Sequence, residues 1–299
     1  MKPSLPILAA AAVGVQVGAA IVASRYVIGQ TTPVSLALLR YAIGVVCLVP
    51  AIALGRRVRF ARRDLVPIGL LGILQFGLLI VLLNFGLRFV PAARGALLLA
   101  TMPLLTLVFA AALGRERLTT AKLAGVLVAL LGVALALADK LGDTPTQDAW
   151  LGALAVVAAA ACGAICSVLY RPYLARYPTL HVSAVAMVAS VGFLALAAAM
   201  EGFFSAWPQF TSTGWGAVVF IGVSSGIGYW LWLWALGRAS PTRVTVFLSL
   251  SPVTAALLGA VLLAEPLRWM LLAGLACVVA GIWLAFRPEP ERPAAERRS

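Results

Sequence analysis

Residues Pro252 to Leu267 read PVTAALLGAVLLAEPL, an apolar run of small and aliphatic residues closed by one acid. Residues Pro103 to Leu118 read PLLTLVFAAALGRERL, again with proline first, glutamate thirteen places later and leucine two places after that. The two prolines stand 149 positions apart, half of a 299-residue chain. The match continues upstream. The order Gly, Arg, Pro, Arg, Pro in FGLRFVPAARGALLLATMPLL recurs in LGRASPTRVTVFLSLSPVT, and Arg94 and Arg243 each precede the shared proline by nine residues. The chain therefore says one thing twice.

Composition fixes the setting of that repeat. With 63% hydrophobic and 11% charged residues, the chain has too little polar surface to cover a soluble globule of its length. Most of it must face lipid. Continuous apolar runs of the ~20 residues that a membrane helix needs number ten: 5–29, 33–54, 65–87, 91–113, 118–138, 150–170, 179–200, 212–236, 241–263 and 267–286. Strands of a membrane barrel would alternate over about ten residues; these runs do not, so the class is all-α. The first run exceeds the core of a secretory signal and leads directly into the second, which predicts a retained helix. Cys47, Cys162, Cys166 and Cys277 all fall inside spans with no His or acid beside them, and read as packing residues rather than disulfides or metal ligands.

The net charge of +13 is distributed by side, not gathered into a nucleic-acid patch. Lys2, arginines at 56, 57, 59, 62 and 63, and further basic residues after spans 4, 6, 8 and 10 put seventeen of 23 on one face if the amino terminus is cytoplasmic. The opposite face receives the acidic link with Asp139, Asp143 and Asp148. This is the positive-inside pattern, and it predicts both termini in the cytoplasm. The expected organisation is a first five-helix repeat at 1–138, an external linker at 139–149, a second repeat at 150–286 and a cytoplasmic tail at 287–299. An odd number of crossings reverses the second half relative to the first. Two inverted five-helix repeats around a central cavity are an architecture of secondary transporters.

The paired segments GRERLTTAKLAGVLVALLGVALAL and AEPLRWMLLAGLACVVAGIWLAF, each after a proline-containing span, resemble the drug/metabolite transporter superfamily, EamA type. The resemblance covers essentially the whole chain. It implies ten helices, a cavity lined mainly by helices 1, 3, 4, 6, 8 and 9, and export of small metabolites across the bacterial inner membrane. The aromatic content and the placement of Arg and Gln are similar to those of aromatic amino-acid exporters within that superfamily.

Individual residues carry two readings each. Glu116 and Glu265 end spans 4 and 9, immediately before the next helices, where a carboxylate caps unpaired N–H groups; the alternative is a gate charge on each face. Pro103 and Pro252 fall about eleven residues into their spans, near the bilayer midplane, and free the carbonyls of Leu99 and Leu248. Kinks there, beside Thr101, Ser249 and Ser251, mark either packing or a wet site. Gln16, Gln75, Asn84, Ser167, Ser224 and Ser225 are costly to expose to lipid and serve as interhelical contacts or as ligands. Arg40, next to Tyr41 in span 2, either snorkels outward or holds a carboxylate. In YWLWLWALG, the lower rings read as an interfacial belt, while Tyr229 and Trp230 lie deeper and are placed to stack on a flat substrate.

Enzyme chemistry has no support. GVSSG matches a nucleophile-elbow pattern but lies within a membrane span, and the chain has a single histidine, His181. No phosphate-binding loop or zinc motif appears, and no cofactor is called for. The expectation is an inner-membrane carrier that exports small metabolites, amino acids and aromatic ones foremost, by facilitated diffusion or exchange, with the bilayer and a small solute as its partners. A proton-coupled drug or metabolite efflux carrier and a passive channel are the alternatives.

Overall fold

The computed structural model describes residues 5–53, 58–115, 119–138, 147–205, 208–240, 244–267 and 269–285. The sequence expectations for Glu116, for most of the 139–149 linker and for the tail lie outside those residues, as does the side chain of Ser249. Ten helical segments follow one another, and no strand occurs among the described residues. They are α1 (Leu5–Val27), α2 (Pro33–Ala53), α3 (Arg62–Gly86), α4 (Ala92–Ala112), α5 (Thr120–Ala138), α6 (Gln147–Leu169), α7 (Thr179–Met200), α8 (Ser212–Leu236), α9 (Leu250–Leu263) and α10 (Trp269–Ala285). Lipid supplies no hydrogen-bond partners for backbone groups, so helices that satisfy their own are the economical solution for such runs. Among the described residues, seven helices are long and apolar enough to cross a membrane, and α9 and α10 contribute shorter apolar stretches. Leu127, Leu131, Val261, Leu262 and Trp283 stand exposed on the outside, as residues facing acyl chains do.

Three spans depart from regular geometry. α3 is interrupted by a π-helical turn at Ile73–Leu78 that no residue in the apolar run marks. α4 breaks into Ala92–Leu99 and Met102–Ala112, because Pro103 has no N–H to continue the ladder. α9 is preceded by a 3₁₀ turn at Val246–Ser249 and carries Pro252 in its first α-helical turn. A short helix, Arg171–Arg176, also follows α6 inside what reads as a loop.

The packing has a pseudo-two-fold pattern under which α1 exchanges with α6, α2 with α7, α3 with α8, α4 with α9 and α5 with α10. α1 packs on α8 and α9, and α6 packs correspondingly on α3 and α4. α2 meets α8 as α7 meets α3; α2 with α7, α4 with α9 and α5 with α10 close the pattern on its axis. Close approach depends on glycine where α2 crosses α8. A Cβ on Gly226 would sit 2.9 Å from the Gly44 carbonyl oxygen, tighter than real contacts allow.

The two ends are tied by equivalent polar contacts that sequence comparison does not reveal. Thr211, the N-cap of α8, donates its N–H to Gln30 Oε1 (3.0 Å), from the link between α1 and α2. Ala61, the N-cap of α3, donates to the Tyr177 hydroxyl (3.2 Å), from the link between α6 and α7. That hydroxyl in turn donates to Asp64 Oδ2 (2.7 Å). Different residue types do the same work at opposite ends of the bundle.

Candidate functional site

Where the halves meet, α1, α2, α3, α4, α8 and the 3₁₀ turn before α9 line a partly open cavity of about 50 Å³. This is room for a few water molecules, so a solute of amino-acid size enters only when the lining parts. Gln16 lies eleven residues into α1, close to the bilayer midplane. Leu99 and Met102 come from the break in α4, and Leu248 from the turn that precedes Pro252. Both irregular segments thus face the cavity. Among the described residues α6, by contrast, contributes none to the lining, and α2 takes its place through Arg40. Ser167 on α6 is buried and donates to the Gly163 carbonyl of its own helix at 2.7 Å.

Arg40 dominates the site electrostatically. It is seven residues into α2, about 10 Å from that helix's end, and only 5% exposed. It does not snorkel outward. Its Nε donates to Ser225 Oγ on α8 at 2.7 Å, and its guanidinium carbon lies 5.6 Å from the Tyr41 ring centre. No carboxylate pairs with it among the described residues. The donors of the two terminal nitrogens make no protein hydrogen bond there and are left to whatever enters the cavity. A cation desolvated without a counter-charge is expensive, and an anionic group bound beside it offsets that cost.

Around Arg40 the neutral polar groups are mutually arranged. Gln16 Nε2 donates to Ser224 Oγ (3.1 Å), joining α1 to α8. A Cβ on Gly228 would lie 2.5 Å from Gln16 Oε1, so glycine is what lets that amide approach α8. Gln75, in the π-helical turn, donates from Nε2 to the Tyr229 hydroxyl (3.3 Å). Tyr229 packs edge-on against Phe76 at 4.4 Å and lies 5.9 Å from Tyr41, which is itself 5.1 Å from Phe76. These three rings pack as one cluster, of which Tyr229 lines the cavity.

Other expected site residues are placed elsewhere. Trp230 lies on the outer face of α8, while Trp232 is buried and lines the cavity. At 100° per residue, positions 228, 229 and 232 share a face that 230 does not. Asn84 is fully buried at the far end of α3, donating to the Pro33 carbonyl at 3.1 Å. The Thr101 hydroxyl donates to the Leu98 carbonyl (2.8 Å) and satisfies the break in α4, and Ser251 and Pro103 are buried in the packing around the two breaks. Trp232, grouped by the sequence with the lower rings of an interfacial belt, lines the cavity instead, since an aromatic side chain in an apolar span gives no sign of which surface it faces.

Glu265 does cap a helix, but not the one that follows it. Its Oε1 accepts from Ala92 N, the first residue of α4, at 3.0 Å, with Arg25 Nε 3.9 Å away. Arg25 Nη1 also donates to the Leu87 carbonyl at 2.8 Å. One carboxylate from the second half thereby holds the start of a helix in the first.

A family model described as the EamA-like transporter family matches residues 4–138 and, separately, 150–287. The chain belongs to this family. Among its relatives, an uncharacterized transporter of Archaeoglobus fulgidus is 29% identical over 90% of this chain and 94% of its own length. A probable terminal-alkyne amino-acid exporter of Streptantibioticus cattleyicolor is 35% identical over 75% of this chain and 74% of its own. An aromatic amino acid exporter of Ancylobacter novellus is 31% identical over 58% and 59%. A solved crystal structure superposes with a TM-score of 0.72 at 24% identity, covering 93% of this chain and 95% of the other, which shows a shared fold. This EamA-family chain is accordingly a multi-pass membrane transporter built from a duplicated unit.

Proposed function

We propose that this EamA-family protein exports small carboxylates, amino acids foremost and aromatic ones favoured, across the bacterial inner membrane by alternating access. The observation that carries the reading is Arg40, a buried cation in an otherwise neutral cavity, held through one nitrogen by Ser225 with its other donors unclaimed. Arginine's planar fork matches a carboxylate in two parallel hydrogen bonds. Tyr229 and Trp232, which line the cavity, with Tyr41 and Phe76 packed behind Tyr229, suit a flat or apolar side chain on the same solute. Two relatives named as amino-acid exporters support the same substrate class.

The mechanism follows from the two breaks. Midway along α4 and before α9, the backbone is not a continuous rod, so the half-helices on either side of the cavity are free to tilt separately. Alternate exposure of the cavity then needs only a rocking of one half against the other, with Arg40 carried on α2 between them. Among the described residues no acid or histidine lines the cavity, so the reading is facilitated diffusion or exchange down the substrate's own gradient. In proteoliposomes containing only this chain, labelled L-phenylalanine should enter saturably. Unlabelled amino acids should compete, whereas the decarboxylated amine of the same ring should not. Equal competition by the amine would remove the carboxylate from the reading.

A further inference from the structure

Gln75 uses only half of its amide. It is 4% exposed, its Nε2 is committed to the Tyr229 hydroxyl, and its Oε1 has no hydrogen-bond partner. Buried acceptors in folded proteins are nearly always satisfied, and this one belongs to a side chain that lines the same cavity as Arg40. It also stands in the π-helical turn Ile73–Leu78, the single such turn among the described residues. Insertions of this kind interrupt a helix at a cost and are concentrated at functional sites. Tyr229, braced edge-on by Phe76, fixes the amide through Nε2 and so fixes where Oε1 stands.

We propose that Gln75 Oε1 accepts a hydrogen bond from the α-ammonium of a zwitterionic amino acid, making Gln75 the residue that separates α-amino acids from carboxylates lacking the amine. The inference rests on the reading of Arg40 as the carboxylate's partner. An ammonium beside a guanidinium needs an acceptor, and an amide supplies one without cancelling the positive charge that the carboxylate requires. Tyr229, which also lines the cavity, adds an aromatic ring beside the same ammonium.

The test compares L-phenylalanine with 3-phenylpropanoate, which keeps the ring and the carboxylate and lacks the amine. KM for each is measured in proteoliposomes of the full chain, with flux through protein-free vesicles subtracted. Wild type should favour phenylalanine by at least about tenfold, the scale of one hydrogen bond to a charged group. In Gln75→Leu, and in Gln75→Met, which alters the volume less, the two KM values should converge to within about threefold, while Arg40→Gln raises both. A preference that persists in the Gln75 variants, or its absence in wild type, overturns the role of Gln75 and leaves Arg40's intact. Saturable transport of non-carboxylate solutes with neither compound carried overturns the reading of Arg40, and this inference with it.

Discussion

Arg40, Gln16, Gln75 and Tyr229 stand out in the sequence because lipid cannot solvate their polar atoms, so each needs a reason to lie within an apolar run. All four line one cavity. The rings around them were not legible in the same way. A tryptophan is equally at home against acyl chains or a cavity, and only helix phase, fixed by the packing of α8 on α1 and α2, separates Trp230 from Trp232. Trp232→Ala should therefore raise KM for an aromatic substrate by about fivefold if stacking contributes ~1 kcal/mol, with a smaller change for an aliphatic one. Trp230→Ala should alter neither, and kinetics with phenylalanine and alanine as paired substrates check both expectations.

The helices owe their irregularities to causes of unequal visibility. The breaks near Pro103 and before Pro252 follow from a missing N–H and are written in the repeat itself. The π-helical turn at Ile73–Leu78 has no comparable marker, since it depends on how α3 packs against α2, α6 and α7. The partner of Glu265 was likewise hidden, because it is the backbone N–H of Ala92, 173 residues away. That contact makes a prediction about stability. Glu265→Ala leaves the Ala92 N–H without its acceptor and weakens the start of α4, a loss of ~1–2 kcal/mol. Thermal unfolding of the detergent-solubilised protein should show a midpoint a few degrees lower, and an unchanged midpoint would mean that the cap is incidental.

The molecule as a whole repeats its packing under exchange of halves, down to links that hold the N-caps of α3 and α8 at opposite ends. The duplicated family match at 4–138 and 150–287 agrees with the offset read between Pro103 and Pro252. Hydropathy was enough to read the all-helical class, because it follows from what a bilayer requires of any chain, whereas the duplication was legible in the matching phrases around Pro103 and Pro252. The cavity's lining was less legible, since which helices meet depends on side-chain packing between the halves; among the described residues α2 enters it and α6 does not. The basic link after α2 predicts that a reporter fused after residue 60 behaves as cytoplasmic and one at residue 143 as external. The reverse labelling would invert the direction assigned to transport.

A carrier that alternates around Arg40 returns faster when loaded, whereas a channel does not, so counterflow separates the two. Vesicles holding this chain and preloaded with unlabelled phenylalanine should take up labelled phenylalanine transiently above its external concentration, with no pH gradient imposed. Arg40→Gln, reconstituted to the same level, should abolish the overshoot. Flux that rises linearly with concentration and shows no counterflow, or an overshoot undiminished in Arg40→Gln, would contradict a carboxylate carrier built on that residue.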